Sequence, residues 1–140
     1  MQRKATAIWQ GNLKEGKGTV STESGALKQT QYSFKTRFEN GVGTNPEELL
    51  AAAHAGCFAM ALSNELSKVG ITPNKLEVSA AISLENVKEG FSITKSHLEL
   101  IATIPGADKA KFDQAVNAAK VGCPVSKLFK AEITLSSKLV

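Results

Sequence analysis

Apolar and polar residues alternate most clearly at Leu76, Val78, Ala80, Ile82 and Leu84, where most neighbours are polar. A period of two predicts a half-buried strand. The segment from Asn86 to Gly90 predicts a turn, and Leu98, Leu100, Ala102 and Ile104 form a second alternating strand that stops at Pro105 and Gly106. The N-terminal third also reads as β. Ala5, Ala7 and Trp9 alternate weakly, turns are predicted at Gly11-Asn12 and at Glu15 to Gly18, and Thr19 to Thr22 follow. Tyr32, Phe34, Thr36 and Phe38 alternate with Ser33, Lys35 and Arg37, which predicts a strand with Arg37 on its polar side. Ile133 and Leu135 mark a last strand.

The period changes after a loop at Asn40 to Gly43. Asn45 suits a helix N-cap, Pro46 the first helical position, and Glu47 and Glu48 the positive end of the helix dipole. Glu48 also stands at the capping-box spacing from Asn45. The helix is predicted to run to about Lys68 and to end at Gly70, with Pro73 just beyond. Its centre is built of small residues around His54 and Cys57, and no charge falls between Glu48 and Glu65. That pattern predicts a helix enclosed on most sides. A second helix is predicted from an Asp108 cap, with Phe112, Ala115, Val116 and Ala119 as its apolar face and Gly122 as its end. Cys123 and Pro124 open a short helical turn that lasts to Phe129. The sum is α+β with a mainly antiparallel sheet and a long buried central helix, in one domain spanning residues 1–140.

Composition narrows the class of function. The chain has 140 residues, 42% of them hydrophobic and 21% charged, as in an ordinary globular domain. The net charge of +4 is mild, and every basic residue except Arg3 and Arg37 is a scattered lysine. A nucleic-acid module would cluster its basic residues and use more arginine, so no nucleic-acid partner is expected. The most apolar stretch, 49–63, is shorter than the ~20 residues of a membrane helix, so no membrane span is expected. The polar residues after Met1 do not resemble a secretory signal, and a cytoplasmic location is expected. In that compartment two cysteines are core residues, metal ligands or redox groups more often than structural staples.

Candidate chemistry centres on those cysteines. Cys57 lies among alanines, where a small apolar core residue is the plain reading. Cys123 stands at the predicted N-cap of a helical turn, a position that favours the thiolate. His54 shares a helix face with Cys57, and with Cys123 and His97 the two make a conceivable zinc set. His97, opposite in phase to Leu98, is expected to face solvent. Capping alone accounts for Glu47 and Glu48, and a solvated strand position accounts for Arg37. No nucleophile-elbow, zincin, phosphate-loop or dinucleotide-binding pattern occurs.

Five stretches carry a resemblance: Gly16 to Gly25; Thr36 to Glu39, with Arg37; Gly43 to Leu49, with Thr44-Asn45-Pro46-Glu47; Ala52 to Phe58, with His54 and Cys57; and Gly122-Cys123-Pro124-Val125-Ser126. In this order they resemble the OsmC/Ohr peroxidase family over nearly the whole chain. The resemblance implies reduction of organic hydroperoxides, and of hydrogen peroxide less well, in oxidative and osmotic stress defence. It implies that Cys57 is the attacking thiol and Cys123 the resolving thiol, that Arg37 holds Cys57 as thiolate, and that Glu47 holds Arg37. Because the Glu15 to Gly18 region has no arginine, Arg37 points to the OsmC branch. The partners implied are the hydroperoxide, an external dithiol of lipoyl type as reductant, and a second copy in an intertwined homodimer. This chemistry needs no bound cofactor or metal. Two other readings stand beside it: a metal-binding module using His54, Cys57 and Cys123, and a carrier of apolar ligands.

Overall fold

The computed structural model describes residues 1–140 and divides into two compact units, Met1–Leu49 and Leu50–Val140. In the first unit, β1 (Ala5–Gln10), β2 (Lys17–Thr22) and β3 (Thr30–Tyr32) form an antiparallel sheet in that order. All six residues of β1 are exposed. Gly18 sits under the Trp9 and Tyr32 rings, whose centroids are 5.4 Å apart. A Cβ there would come within 2.3 Å of the Tyr32 ring, so glycine is what lets the two aromatics close over the sheet.

The predicted strand from Tyr32 to Phe38 is instead β3 followed by a short helix, α1 (Phe34–Phe38). Ser33 and Thr36 exchange hydrogen bonds in a complete capping box. Phe34 and Phe38 bring their ring centroids to 4.8 Å. Residues four apart meet on a helix, whereas along a strand they lie about 13 Å apart. The cap and the ring contact therefore override the period-two pattern, and Arg37 rides on a helix.

The long helix α2 (Pro46–Lys68) has the predicted start and end. Asn45 Oδ1 accepts the Glu48 N–H at 2.8 Å. Glu48 turns its carboxylate to the Thr44 hydroxyl at 3.2 Å. The chain reaches this start through Gly43, whose φ of +130° and 2.3 Å Cβ clearance to Gln31 O exclude a side chain.

In the second unit, β4 (Lys75–Val87), β5 (Gly90–Thr103) and β6 (Glu132–Leu139) form a sheet with β5 in the centre. β4 and β5 make a hairpin with an irregularity at Ser83/Leu84. β5 starts at Gly90, well before the alternation that announced it at Leu98. β6 runs parallel to β5, because the connection passes through two helices, α3 (Lys109–Gly122) and α4 (Pro124–Leu128). A parallel pair requires such a long crossover. Three of the four strand pairings are antiparallel, so the architecture is α+β as expected.

The core of this unit collects Phe58, Leu62 and Leu66 from α2 with Leu98, Leu100 and Ala102 from β5 and Phe112, Ala115, Val116 and Ala119 from α3. Full burial of such a Phe or Leu side chain contributes about 1.5–3 kcal/mol. The α2 stripe recurs every fourth residue, and His54 heads it. The expectation that α2 is enclosed on most sides is not met within one chain. Ala52, Ala53, Gly56 and Met60 on its other side are exposed. Absence of charge announced an uncovered apolar face as readily as a covered one.

Candidate functional site

In the first unit, α1 and the first turn of α2 bring Arg37 to Glu47. Arg37 Nη2 donates to Glu47 Oε1 at 2.8 Å, and Nε donates to the same carboxylate at 3.2 and 3.3 Å. This is the fork geometry that only a guanidinium offers. Asn45 tethers the two helices: its Nδ2 donates to Thr36 O at 2.9 Å while its Oδ1 caps α2. The Arg37 guanidinium also lies 5.4 Å from the Phe38 ring centroid. The Glu47 side chain is 11% exposed and that of Arg37 39%, so the carboxylate is fixed while the cation keeps a face open.

In the second unit, the Sγ atoms of Cys57 and Cys123 lie 2.8 Å apart, and both are free thiols. Cys57 comes from the middle of α2. Cys123 is both the C-cap of α3 and the N-cap of α4, with Pro124 at the first helical position. The crossover after β5 thus delivers Cys123 onto α2. Cys123 is 0% exposed, whereas Cys57 is half-buried and reachable.

The two thiols share one electrostatic environment but divide it unequally. Burial raises the Cys57 pKa, and the adjoining Cys123 adds to the rise, while the Val125 N–H offsets part of it. Burial pushes Cys123 upward too, but its hydrogen bond with Cys57, then the Ser126 N–H and hydroxyl and the Val125 N–H, bring it below the ordinary thiol range. The two thiols are close enough to titrate as a coupled pair. In chemical terms the pair holds a reachable sulfur with an enclosed sulfur directly behind it.

His54 stands one turn before Cys57 and is 0% exposed. Its Nδ1 meets Ser96 Oγ at 2.6 Å and its Nε2 meets Ser126 Oγ at 2.9 Å. The ring edge packs on Phe129, with centroids 5.2 Å apart. Burial lowers its pKa, so the ring is neutral near pH 7. Both nitrogens are engaged by hydroxyls, which leaves no lone pair for a metal. His97 is on the opposite face of β5, part-exposed, with Nδ1 at 2.6 Å from Thr134 Oγ1. The four residues of the conceivable zinc set are therefore not one cluster.

Ser96, Ser126 and Phe129 complete the site and were not singled out by sequence. Ser96 had a readable signal: it shares the inward phase of Leu98, Leu100 and Ala102, where a polar residue needs a buried partner. Ser126 stands at the helical spacing from Cys123 at which side chains meet.

Comparison with known proteins places the chain in a family. A family model described as OsmC-like protein matches residues 38–138. The chain is 52% identical over 139 residues to peroxiredoxin OsmC of Escherichia coli (strain K12), covering 99% of this chain and 97% of that one. It is 31% identical over 100 residues to the organic hydroperoxide resistance protein of Xanthomonas axonopodis pv. citri, covering 71% and 68%. The crystal structure of the organic hydroperoxide resistance protein OhrB of Bacillus subtilis superimposes with a TM-score of 0.68 at 25% identity, over 98% of each chain. By sequence and by fold, the chain belongs to the OsmC-like protein family.

Proposed function

We propose that the chain is a cysteine-based peroxidase that reduces organic hydroperoxides as part of oxidative and osmotic stress defence. The observation that carries this reading is the pair of free sulfurs 2.8 Å apart, one reachable and one enclosed. The relatives' names, peroxiredoxin and organic hydroperoxide resistance protein, support the same class of reaction. Cys57 attacks as thiolate on the distal peroxide oxygen, the one that carries hydrogen; the O–O bond breaks, and the leaving alkoxide takes up a proton from solvent to become the alcohol. Cys57 is then a sulfenic acid. Cys123 condenses with it to a disulfide and releases water. An external dithiol, of lipoyl type, reopens the bond by exchange.

Burial and Cys123 both hold Cys57 toward its protonated form. The attacking thiolate therefore needs a cation. Arg37 is the proposed source, with Glu47 fixing the plane of its guanidinium. The functional unit is a homodimer of single-domain chains, and the Arg37 at each Cys57 belongs to one of the two subunits. The exposed small residues of α2 suit close packing of two such helices. The expected location is cytoplasmic.

An organic tail needs an apolar pocket; of the apolar residues near Cys57 in sequence, Leu49 and Leu50 are part-exposed, while Phe58 lies in the core and Met60 is exposed on the other side of α2. Cumene hydroperoxide and tert-butyl hydroperoxide should therefore be consumed with a higher kcat/KM than hydrogen peroxide in a dithiol-coupled assay. One methylene in a pocket contributes roughly tenfold or more, so the two classes separate by at least that factor. Equal or reversed kcat/KM values would remove organic hydroperoxides as the preferred substrate.

A further inference from the structure

His54 takes no part in the thiol cycle just described, yet it is wholly enclosed and both ring nitrogens are committed. It occupies the head of the α2 stripe, where Phe58, Leu62 and Leu66 are apolar. A hydrophobic side chain there would avoid the cost of burying three polar groups. The trio His54, Ser96 and Ser126 instead links the two thiols. His54 is one turn from Cys57 on α2. Ser126 is one turn from Cys123 on α4, the third helical residue to its N-cap. The 2.9 Å contact between Nε2 and Ser126 Oγ joins these two turns, and Ser96 and Phe129 stop the ring from rotating.

A neutral imidazole has one donor and one acceptor, so its tautomer sets the direction of every hydrogen bond in the trio. With the proton on Nε2, the ring donates to Ser126 Oγ, Ser96 donates to Nδ1, and the Ser126 O–H is free to turn to Cys123. With the proton on Nδ1, Nε2 consumes the Ser126 O–H, and only oxygen lone pairs face the sulfur.

We propose that His54 is a positioning residue for the resolving step: protonated on Nε2, it holds Ser126 so that the serine hydroxyl donates to Cys123 Sγ while that thiolate attacks oxidised Cys57. The inference rests on the thiol cycle proposed above. In that step the S–S bond forms and the S–O bond of the Cys57 sulfenic acid breaks. The Cys123 sulfur is oxidised and the Cys57 sulfur reduced. The departing hydroxide takes up the proton that Cys123 released, giving water, and His54 and Ser126 end with the protons they began with. Ser126 is also among the groups that hold Cys123 below the ordinary thiol range, alongside Cys57 and Val125.

The test is the lifetime of the Cys57 sulfenic acid after a single turnover with cumene hydroperoxide, read by dimedone trapping and mass spectrometry. An asparagine side chain reaches the Nδ1 position and a glutamine reaches Nε2. His54→Asn and Ser126→Ala should each lengthen the lifetime about tenfold or more, the scale of a lost hydrogen bond to a charged group. His54→Gln should restore most of the rate, and the double variant His54→Asn/Ser126→Ala should be no slower than either single one. In the steady state kcat should fall more than kcat/KM. Ser126→Ala opens little space, and its sulfenic acid lifetime, together with that of His54→Gln, decides the matter if His54→Asn does not fold. Wild-type lifetimes in folded His54→Asn and Ser126→Ala, or equal losses in His54→Asn and His54→Gln, would overturn the role of His54. A wild-type protein in which Cys57 forms no sulfenic acid would overturn the thiol cycle itself, and this role with it.

Discussion

Arg37 and Glu47 form a bidentate pair whose cation is more than a third exposed. An ion pair of that exposure contributes little to stability, on the order of 1 kcal/mol or less. Its value is geometric: one edge of the guanidinium is fixed and the other is left available. Arg37→Lys keeps the charge and loses the fork. We expect it to lower kcat/KM for cumene hydroperoxide by about a hundredfold, the scale of one lost electrostatic stabiliser. Glu47→Gln should lose less, because the cation remains. If Arg37 stabilises the thiolate as proposed, alkylation of Cys57 by iodoacetamide should shift to higher pH in Arg37→Ala. Normal turnover with an unchanged alkylation profile would reduce Arg37 to a surface residue. The Arg37–Glu47 contact was implied by the family resemblance, whereas the residue pattern alone assigned Arg37 a strand and Glu47 a capping role. It depends on α1, and five residues are too few to separate a period of two from a period of 3.6. The Ser33–Thr36 spacing was the stronger signal there, because it specifies a helix start by a hydrogen bond.

Elements with long periodic patterns were legible to within a residue or two: α2 from its cap to Lys68, α3 from Asp108, and most of β4. What the pattern did not contain is how elements meet. The direction of β6 follows from the crossover, and so does the arrival of Cys123 beside Cys57, far apart in sequence but 2.8 Å apart in the fold. His54 shows the same limit. It ties α2 to β5 and α4 through two serines from distant parts of the chain. That contact carries a pH signature with a definite sign. Burial lowers the His54 pKa in the folded protein, so the unfolded chain binds the proton more tightly. Stability is therefore held above the unfolded histidine value of about 6.5 and lost as pH falls below it, by up to about 1.4 kcal/mol per pH unit. Urea titrations between pH 7.5 and roughly 5.5 should show this loss in the wild-type protein and a flatter profile in His54→Gln. Parallel profiles in the two proteins would mean that His54 takes up its proton without cost in the fold.

A single chain leaves the small-residue side of α2 and the whole of β1 exposed. Met60 at 77% exposure, beside Ala52, Ala53 and Gly56, is apolar surface of the kind that a second copy covers. Sedimentation at micromolar concentration should give twice the 14.8 kDa chain mass. Met60→Lys should shift the protein toward the monomer, and a wild-type monomer would leave Arg37 to serve the Cys57 of its own chain. The proposed cycle needs two thiols that act in sequence. Its most direct test is peptide mass spectrometry of the reduced protein after one equivalent of cumene hydroperoxide. Cys57 and Cys123 should both disappear as thiols and reappear as one disulfide-linked peptide. Cys123→Ser should instead accumulate a sulfenic acid trapped on Cys57, and Cys57→Ser should consume no peroxide. Peroxide consumption that persists in Cys57→Ser, or two free thiols in the treated wild-type protein, would contradict the account.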